Sequence, residues 1–192
     1  IMSKLVRETK VVLTNVRLSY ANLFTPKAIQ EGAQEKYSVS LIIDKNDTET
    51  VDLVKKAIEN AKAEGKVAKW GGKLPGNLKQ PLRDGDTDRE DDDAYANSYF
   101  INANSAQAPE VVGKFRDPET GKPLPLGEDE VYSGCYANVS VNFFAYDARG
   151  NKGVGAGLGN VQKVKDGDRL GGKTSASSDF DFEEADDMDF LG

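Results

Sequence analysis

Two alternating segments near the C-terminal end, residues 131–147 and 153–164, constrain this chain most; they are joined across Asp147-Ala148-Arg149-Gly150-Asn151. Successive side chains of a strand point to opposite faces, so a period of two assigns each residue a side. Val139, Val141, Phe143 and Ala145 share one face, and Ser140, Asn142, Phe144 and Tyr146 share the other. Two such runs separated by a Gly- and Asn-containing turn predict a β-hairpin. A hairpin alone is marginal in water, so its apolar face requires further strands.

Three upstream segments supply them. Tyr37, Val39, Leu41 and Ile43 alternate with Lys36, Ser38 and Ser40. Residues 10–20 read as a strand with Val12, Val16, Leu18 and Tyr20 on one parity. Residues 95–104 place Tyr99, Ile101 and Ala103 on one side and Phe100 and Asn102 on the other. Val51, Val54, Ile58 and Ala61 recur at helical spacing, predicting one helix over about 48–64, with Thr48 as N-cap and Gly65 as its stop. The stretches 65–93 and 105–130 read as irregular. Five strand-like segments, one helix and long loops predict a mainly β fold, a small closed or half-closed antiparallel barrel.

The composition changes abruptly at Gly171-Gly172, which divides the chain into a folded domain, 1–170, and a disordered acidic tail, 171–192. The tail residues 175–192 hold seven acids and no Lys or Arg, so they carry the whole net charge of −7. Residues 84–93 hold seven more acids and only Arg89. With both segments set aside, eighteen acids face twenty-four bases, a net +6. A basic body with two segregated acidic segments is suited to attract a polyanion and to carry a mimic of one.

Several function classes fall away. The chain has no histidine and a single cysteine, Cys135, so it can build neither a Ser-His or Cys-His pair nor a Cys/His zinc site. Cys135 lies in an apolar-alternating stretch and reads as a buried core thiol in a reducing cytoplasm. No run approaches the ~18 apolar residues of a membrane span, and Ile1-Met2-Ser3-Lys4-Leu5 lacks the apolar run of a secretory signal. No catalytic residue, cofactor or metal site is expected.

Binding a nucleic-acid strand needs cations along a phosphate path and flat rings on which bases stack. Lys66, Lys69, Trp70, Lys73, Lys79 and Arg83 offer both within one glycine-rich stretch. Phe100, Phe144 and Tyr146 occupy the polar parity of their strands, and Lys114-Phe115-Arg116 repeats the aromatic-between-bases pattern. Arg149 and Lys152 flank the hairpin turn. The competing reading is that Trp70 plugs the core edge while the lysines solvate a loop.

Two other motifs are weaker. Asp84-Gly85-Asp86-Thr87-Asp88 opens like a calcium loop, but Arg89 stands where glycine is needed and Tyr95 where glutamate is, leaving a solvated, flexible loop as the expectation. Gly153-Val154-Gly155-Ala156-Gly157-Leu158-Gly159 fails the dinucleotide register, and glycine at alternate strand positions instead clears one face for a close approach. In the tail, Asp186, Asp187 and Asp189 beside Phe190 and Leu191 combine charge with apolar anchors, more than a solubilising tail needs.

The runs Tyr132-Ser133-Gly134-Cys135-Tyr136-Ala137-Asn138-Val139, Phe143-Phe144-Ala145-Tyr146 and Gly153 to Gln162 resemble a family of tailed-phage proteins, as do Pro81 to Asp86 and Tyr99 to Ala103. That family was long a domain of unknown function and is now regarded as OB-fold single-stranded DNA-binding proteins. The resemblance covers about residues 10–170. It implies an OB-like barrel and a role in phage DNA replication, recombination and repair in the host cytoplasm. The tail is similar in kind to those of replicative single-stranded DNA-binding proteins, implying competition for the DNA groove and recruitment of a polymerase or helicase/primase. A homo-oligomer is allowed. The rivals are a metal-dependent nuclease built on 84–93 and a scaffolding or DNA-mimic protein.

Overall fold

A computed structural model describes residues 2–171 together with Phe180, Asp181 and Glu183. Along the chain it contains β1 (Lys4–Leu5), β2 (Lys10–Lys27), β3 (Lys36–Asp44), α1 (Thr48–Ala68), β4 (Leu82–Asp84), the four-residue α2 (Gly85–Asp88) and a 3₁₀ turn (Asp93–Tyr95). There follow β5 (Ser98–Ser105), β6 (Val111–Arg116), β7 (Pro123–Pro125), β8 (Tyr136–Ala148) and β9 (Asn151–Lys165).

Strands β2, β3, β5, β9 and β8 close into a five-stranded barrel. Its neighbours pair antiparallel, except for a parallel contact of β5 with β9 at Asn104 and Gly157. This is an OB-like, mainly β fold. The barrel is filled by the predicted parity of β8, with Val139, Val141 and Phe143 buried against Val39, Leu41 and Ile43 of β3 and Ile101 of β5. The β8–β9 hairpin turns on two residues, Arg149 and Gly150, both at positive φ (54° and 87°), as the twist of a two-residue turn requires.

Strand β2 departs from simple alternation. Val11 and Leu13 face the core, then Asn15 takes a left-handed conformation (φ 53°), and Val16 and Leu18 face the core on the other parity. The pairing with β8 slips at the same place, between Leu13 and Val16. A bulge adds one residue and resets which parity points inward. Val12 is therefore not on the Val16–Leu18 face, and Tyr20 is turned outward by a second left-handed residue, its own (φ 47°).

Helix α1 presents Val51, Val54, Ala57, Ile58 and Ala61 to the barrel and packs mainly on β8 and β2. Its cap is Asp47, whose carboxylate accepts from the Thr50 amide at 3.2 Å, so Thr48 is the first helical residue rather than the cap. Gly65 does not stop the helix. It lies inside the last turns, where a Cβ would collide with Ala145 and approach the Trp70 ring to 3.0 Å. The chain turns away only at Gly71 and Gly72, at φ 62° and 87°.

The segments expected to be irregular hold structure of their own, since 82–95 carries β4, α2 and the 3₁₀ turn and 111–125 carries the β6–β7 pair. At the N-terminal edge the buried Ser3 hydroxyl shares hydrogen bonds with Thr14 (3.0 Å) and Thr50 (2.7 Å), satisfying three polar groups together. Cys135 is fully buried, and burial pushes its thiol pKa up.

Candidate nucleic-acid interface

The outward face of the β8–β9 hairpin is where aromatic side chains meet open backbone. Phe144 pairs with Gly155 and Tyr146 with Gly153 across the antiparallel ladder. A Cβ on Gly155 would lie 2.6 Å from Phe144 Cζ, and one on Gly153 would lie 2.8 Å from Tyr146 Oη. The alternating glycines therefore clear a shelf, and what occupies it is the two rings. Their centroids are 6.3 Å apart, and Phe144 keeps 43% of its surface exposed. An aromatic lying over a strand glycine covers backbone that glycine leaves bare.

Cations surround the shelf. Residue 79 is pinned to β9 by two backbone hydrogen bonds, Lys79 N–H to the Lys152 carbonyl (3.1 Å) and Val154 N–H to the Lys79 carbonyl (3.0 Å). Arg83 projects from β4, and Lys36 from the start of β3. With Asn102, Asn104, Phe144 and Tyr146 these three cations line one shallow groove. Lys36, Asn102 and Asn104 also line a second groove, which continues across β3 to Tyr20, Lys27 and Arg89. Among the described residues, five cations and no carboxylate line the two, in a chain with 32 acids among 192 residues. That segregation makes a continuous cationic track.

The acidic segment 84–93 is not a loose loop. Asp84 and Asp86 both receive the Lys45 ammonium, at 2.7 and 2.6 Å. These hydrogen bonds hold both carboxyls below their usual range and push Lys45 well above the usual lysine value. Asp84 also caps α2, Asp92 caps the 3₁₀ turn, and Asp88 accepts from Arg83 at 3.1 Å. The segment has counter-ions and backbone amides as partners, which orders it. Among the described residues no group of three Asp, Glu or Cys side chains converges as a metal site would.

The ordered segment covers Phe100. That ring is fully buried in a small cluster with Ile42 and Tyr95, meeting Tyr95 edge-on at 5.0 Å, while the Tyr95 hydroxyl donates to Ser40 at 2.9 Å. Phe100 thus offers no face to a ligand, although it stands on the outward parity. Instead the guanidiniums of Arg83 and Arg89 rest over it at 5.3 and 5.5 Å. Trp70 is likewise buried, at 6% exposure, with its Nε1–H donated to the Tyr146 carbonyl at 3.2 Å. The competing sequence reading, a tryptophan that plugs the core edge, describes it. Lys66, Lys69 and Lys73 stand exposed around that plug, outside the two grooves.

Of the predicted residues, then, the structure brings together Lys79, Arg83, Phe144 and Tyr146. Lys152 and Arg149 sit at the adjoining hairpin tip, with Lys152 3.9 Å from Asp147. Lys114, Phe115 and Arg116 lie elsewhere, on β6 beside the far half of β9, with Phe115 75% exposed. Asp186, Asp187, Asp189, Phe190 and Leu191 fall outside the described residues. Sequence reasoning missed Lys36, Asn102, Asn104, Tyr20 and Arg89. The first three sit on the outward parity of β3 and β5, which was readable; Tyr20 sits on the core parity until its bulge is known.

This geometry has relatives. Residues 9–191 match the family described as Enterobacter phage Enc34, ssDNA-binding protein. The chain belongs to that family. It is 32% identical, over 90% of its length and 92% of the relative's, to protein p50 of Acyrthosiphon pisum secondary endosymbiont phage 1. Among solved structures it is similar to the single-stranded DNA-binding protein of bacteriophage Enc34 in complex with ssDNA, at a TM-score of 0.70 and 26% identity, covering 88% of this chain and 96% of that one. The fold is shared with gp2.5, a single-stranded DNA-binding protein encoded by bacteriophage T7, at a TM-score of 0.52 and 16% identity over 96% of both chains.

Proposed function

We propose that this protein binds single-stranded DNA non-catalytically, without strong sequence preference, in phage DNA replication, recombination and repair within the bacterial cytoplasm. The observation that carries the reading is the Phe144–Tyr146 pair laid on the Gly153–Gly155 shelf, bordered by Lys36, Lys79 and Arg83 with no carboxylate among the described lining residues. Ring faces accept any base, and ammonium or guanidinium groups accept any phosphate, so the groove recognises a strand rather than a sequence. Membership of the Enc34 family supports the same substrate. By binding the single-stranded state, the protein melts hairpins through mass action.

The acidic tail, on this reading, competes with DNA for the cationic track and recruits a polymerase or helicase/primase through Phe190 and Leu191. Its point of departure supports this: Gly171 and Arg169 line a recess with Tyr20, the residue that also borders the second groove. Fluorescence anisotropy with single-stranded DNA, duplex DNA and RNA at two salt concentrations tests the substrate. Phe144→Ala should weaken single-stranded DNA binding while circular dichroism stays unchanged; undiminished affinity overturns the reading.

A further inference from the structure

Tyr20 is a large aromatic residue held where aromatic residues rarely go. Its φ of 47° places it in the left-handed region, and its side chain is 59% exposed. Left-handed backbone is unfavourable for any residue with a Cβ, and a ring more exposed than buried returns little through burial. The strain is maintained by its neighbours. Asn22 Nδ2 donates to the Tyr20 carbonyl (3.2 Å) and lies 3.3 Å from the Ser38 hydroxyl, and the Ala21 amide donates to Ser133 Oγ at 3.0 Å. The β2–β3 register slips between Ser19 and Asn22. Bulges of this kind re-aim one side chain next to a functional site.

What Tyr20 is aimed at is the second groove. The Arg89 guanidinium stands 5.5 Å from its ring centroid, delivered there by the ordered acidic segment. Lys27 and Lys36 lie along the same groove, with Asn102 and Asn104 at the junction with the Phe144 shelf. A ring, three cations and amide groups, with no carboxylate among the described residues lining this groove, repeat the chemistry of the first groove on the other side of β5.

We propose that Tyr20 and Arg89 form a second nucleotide subsite, with Tyr20 stacking one base and Arg89 holding the adjoining phosphate, so that one strand runs from Phe144 across Asn102 and Asn104 to Tyr20. This rests on the single-stranded DNA reading and extends the contact beyond the hairpin shelf. The acidic segment then serves the same path, since its pairs with Lys45 and Arg83 hold the loop that presents Arg89.

Replacement of Tyr20 by glycine separates this role from a structural one, because glycine favours positive φ whereas the stack needs the ring. Binding is read by anisotropy with a labelled oligothymidylate of about 16 nucleotides, the upper end for one OB fold. Tyr20→Gly should raise the melting temperature yet weaken binding about five- to hundred-fold, the range of one lost base stack. Tyr20→Phe should keep the parental affinity. Phe144→Ala is the control. Weakening by Phe144→Ala with none from Tyr20→Gly overturns the second subsite and leaves the substrate assignment standing. No weakening from either removes both. A lowered melting temperature in Tyr20→Gly overturns the proposal as well, because the ring is then a packing element.

Discussion

Trp70 donates its indole N–H to the carbonyl of Tyr146 over 3.2 Å, so a buried side chain holds the backbone of a residue whose ring faces the groove. Replacing it with phenylalanine should remove that bond and cost about 1 kcal/mol of stability by urea titration. Trp70→Ala should cost about 3–5 kcal/mol, because the cavity sits against Gly65 and Ala145. Since neither face of the indole is free, DNA should quench its fluorescence little; deep quenching would show that the plug opens on binding.

Gly155 makes a sharper test of the shelf. Alanine there would push its Cβ to 2.6 Å from Phe144 Cζ and force the ring aside. Gly155→Ala should therefore weaken binding, and Phe144→Ala should weaken it by about 1–3 kcal/mol. Because both act through one ring, the double variant should lose little more than Phe144→Ala alone in a double-mutant cycle. Full additivity would mean that the glycine matters for something other than Phe144.

Salt should report the cationic track. Each contacted phosphate on a single strand contributes roughly −0.7 to the log–log slope of affinity against salt. Neutralising Lys36 or Lys79 with glutamine should make the slope shallower by about that amount, whereas Lys114→Gln, on β6 beside the far half of β9, should leave it unchanged. A slope lost equally from all three would place β6 on the DNA path.

The Lys45 pairs make the acidic segment pH-dependent. Asp84 and Asp86 have lowered pKa values, so their stabilising contribution is present above the ordinary carboxylate value of about 3.9 and is lost as pH falls through the lowered values. Lys45 is raised, so its contribution is complete below about 10.4 and is lost as pH rises through the raised value. The segment should thus be ordered throughout the neutral range and loosen only in acid or strong alkali. Lys45→Met should loosen it at pH 7, seen as faster amide exchange across 84–95 and as weaker DNA binding. Unaltered exchange would mean that the caps suffice without the lysine.

Residues 175–192 carry seven carboxylates, so removing them takes the chain from −7 to neutral. If the tail occupies the cationic track part of the time, apparent affinity is reduced by that fraction. Truncation should tighten single-stranded DNA binding, more at low salt than at high. If the tail also recruits a replication protein, Phe190→Ala with Leu191→Ala should spare the competition but lose that protein in pull-down. Equal affinities with and without the tail would reduce it to a tether.

Much of the barrel was legible because period-two alternation is a local signal; β8 and β9 were readable from their own residues, down to which face carries Phe144. Distant partners were not. Phe100 reads as exposed because its cover, Tyr95 with Arg83 and Arg89, arrives from a segment that by composition looks solvated. That segment is ordered by Lys45, some forty residues upstream. Trp70 sits among glycines and lysines, yet its slot is built by Gly65, Ala145 and the Tyr146 carbonyl. The bulges at Asn15 and Tyr20 leave no mark in the alternation, because a left-handed residue changes parity without changing residue type.

Cys135 is the chain's one thiol, fully enclosed and with burial favouring its protonated form. Thiolate is the reactive species, so this sulfur should ignore a maleimide while the protein is folded. A cysteine introduced at Ala148, exposed at the hairpin tip, would then be the sole attachment point for a dye. The native chain can be converted into a fluorescent reporter of strand exposure without first removing a cysteine of its own.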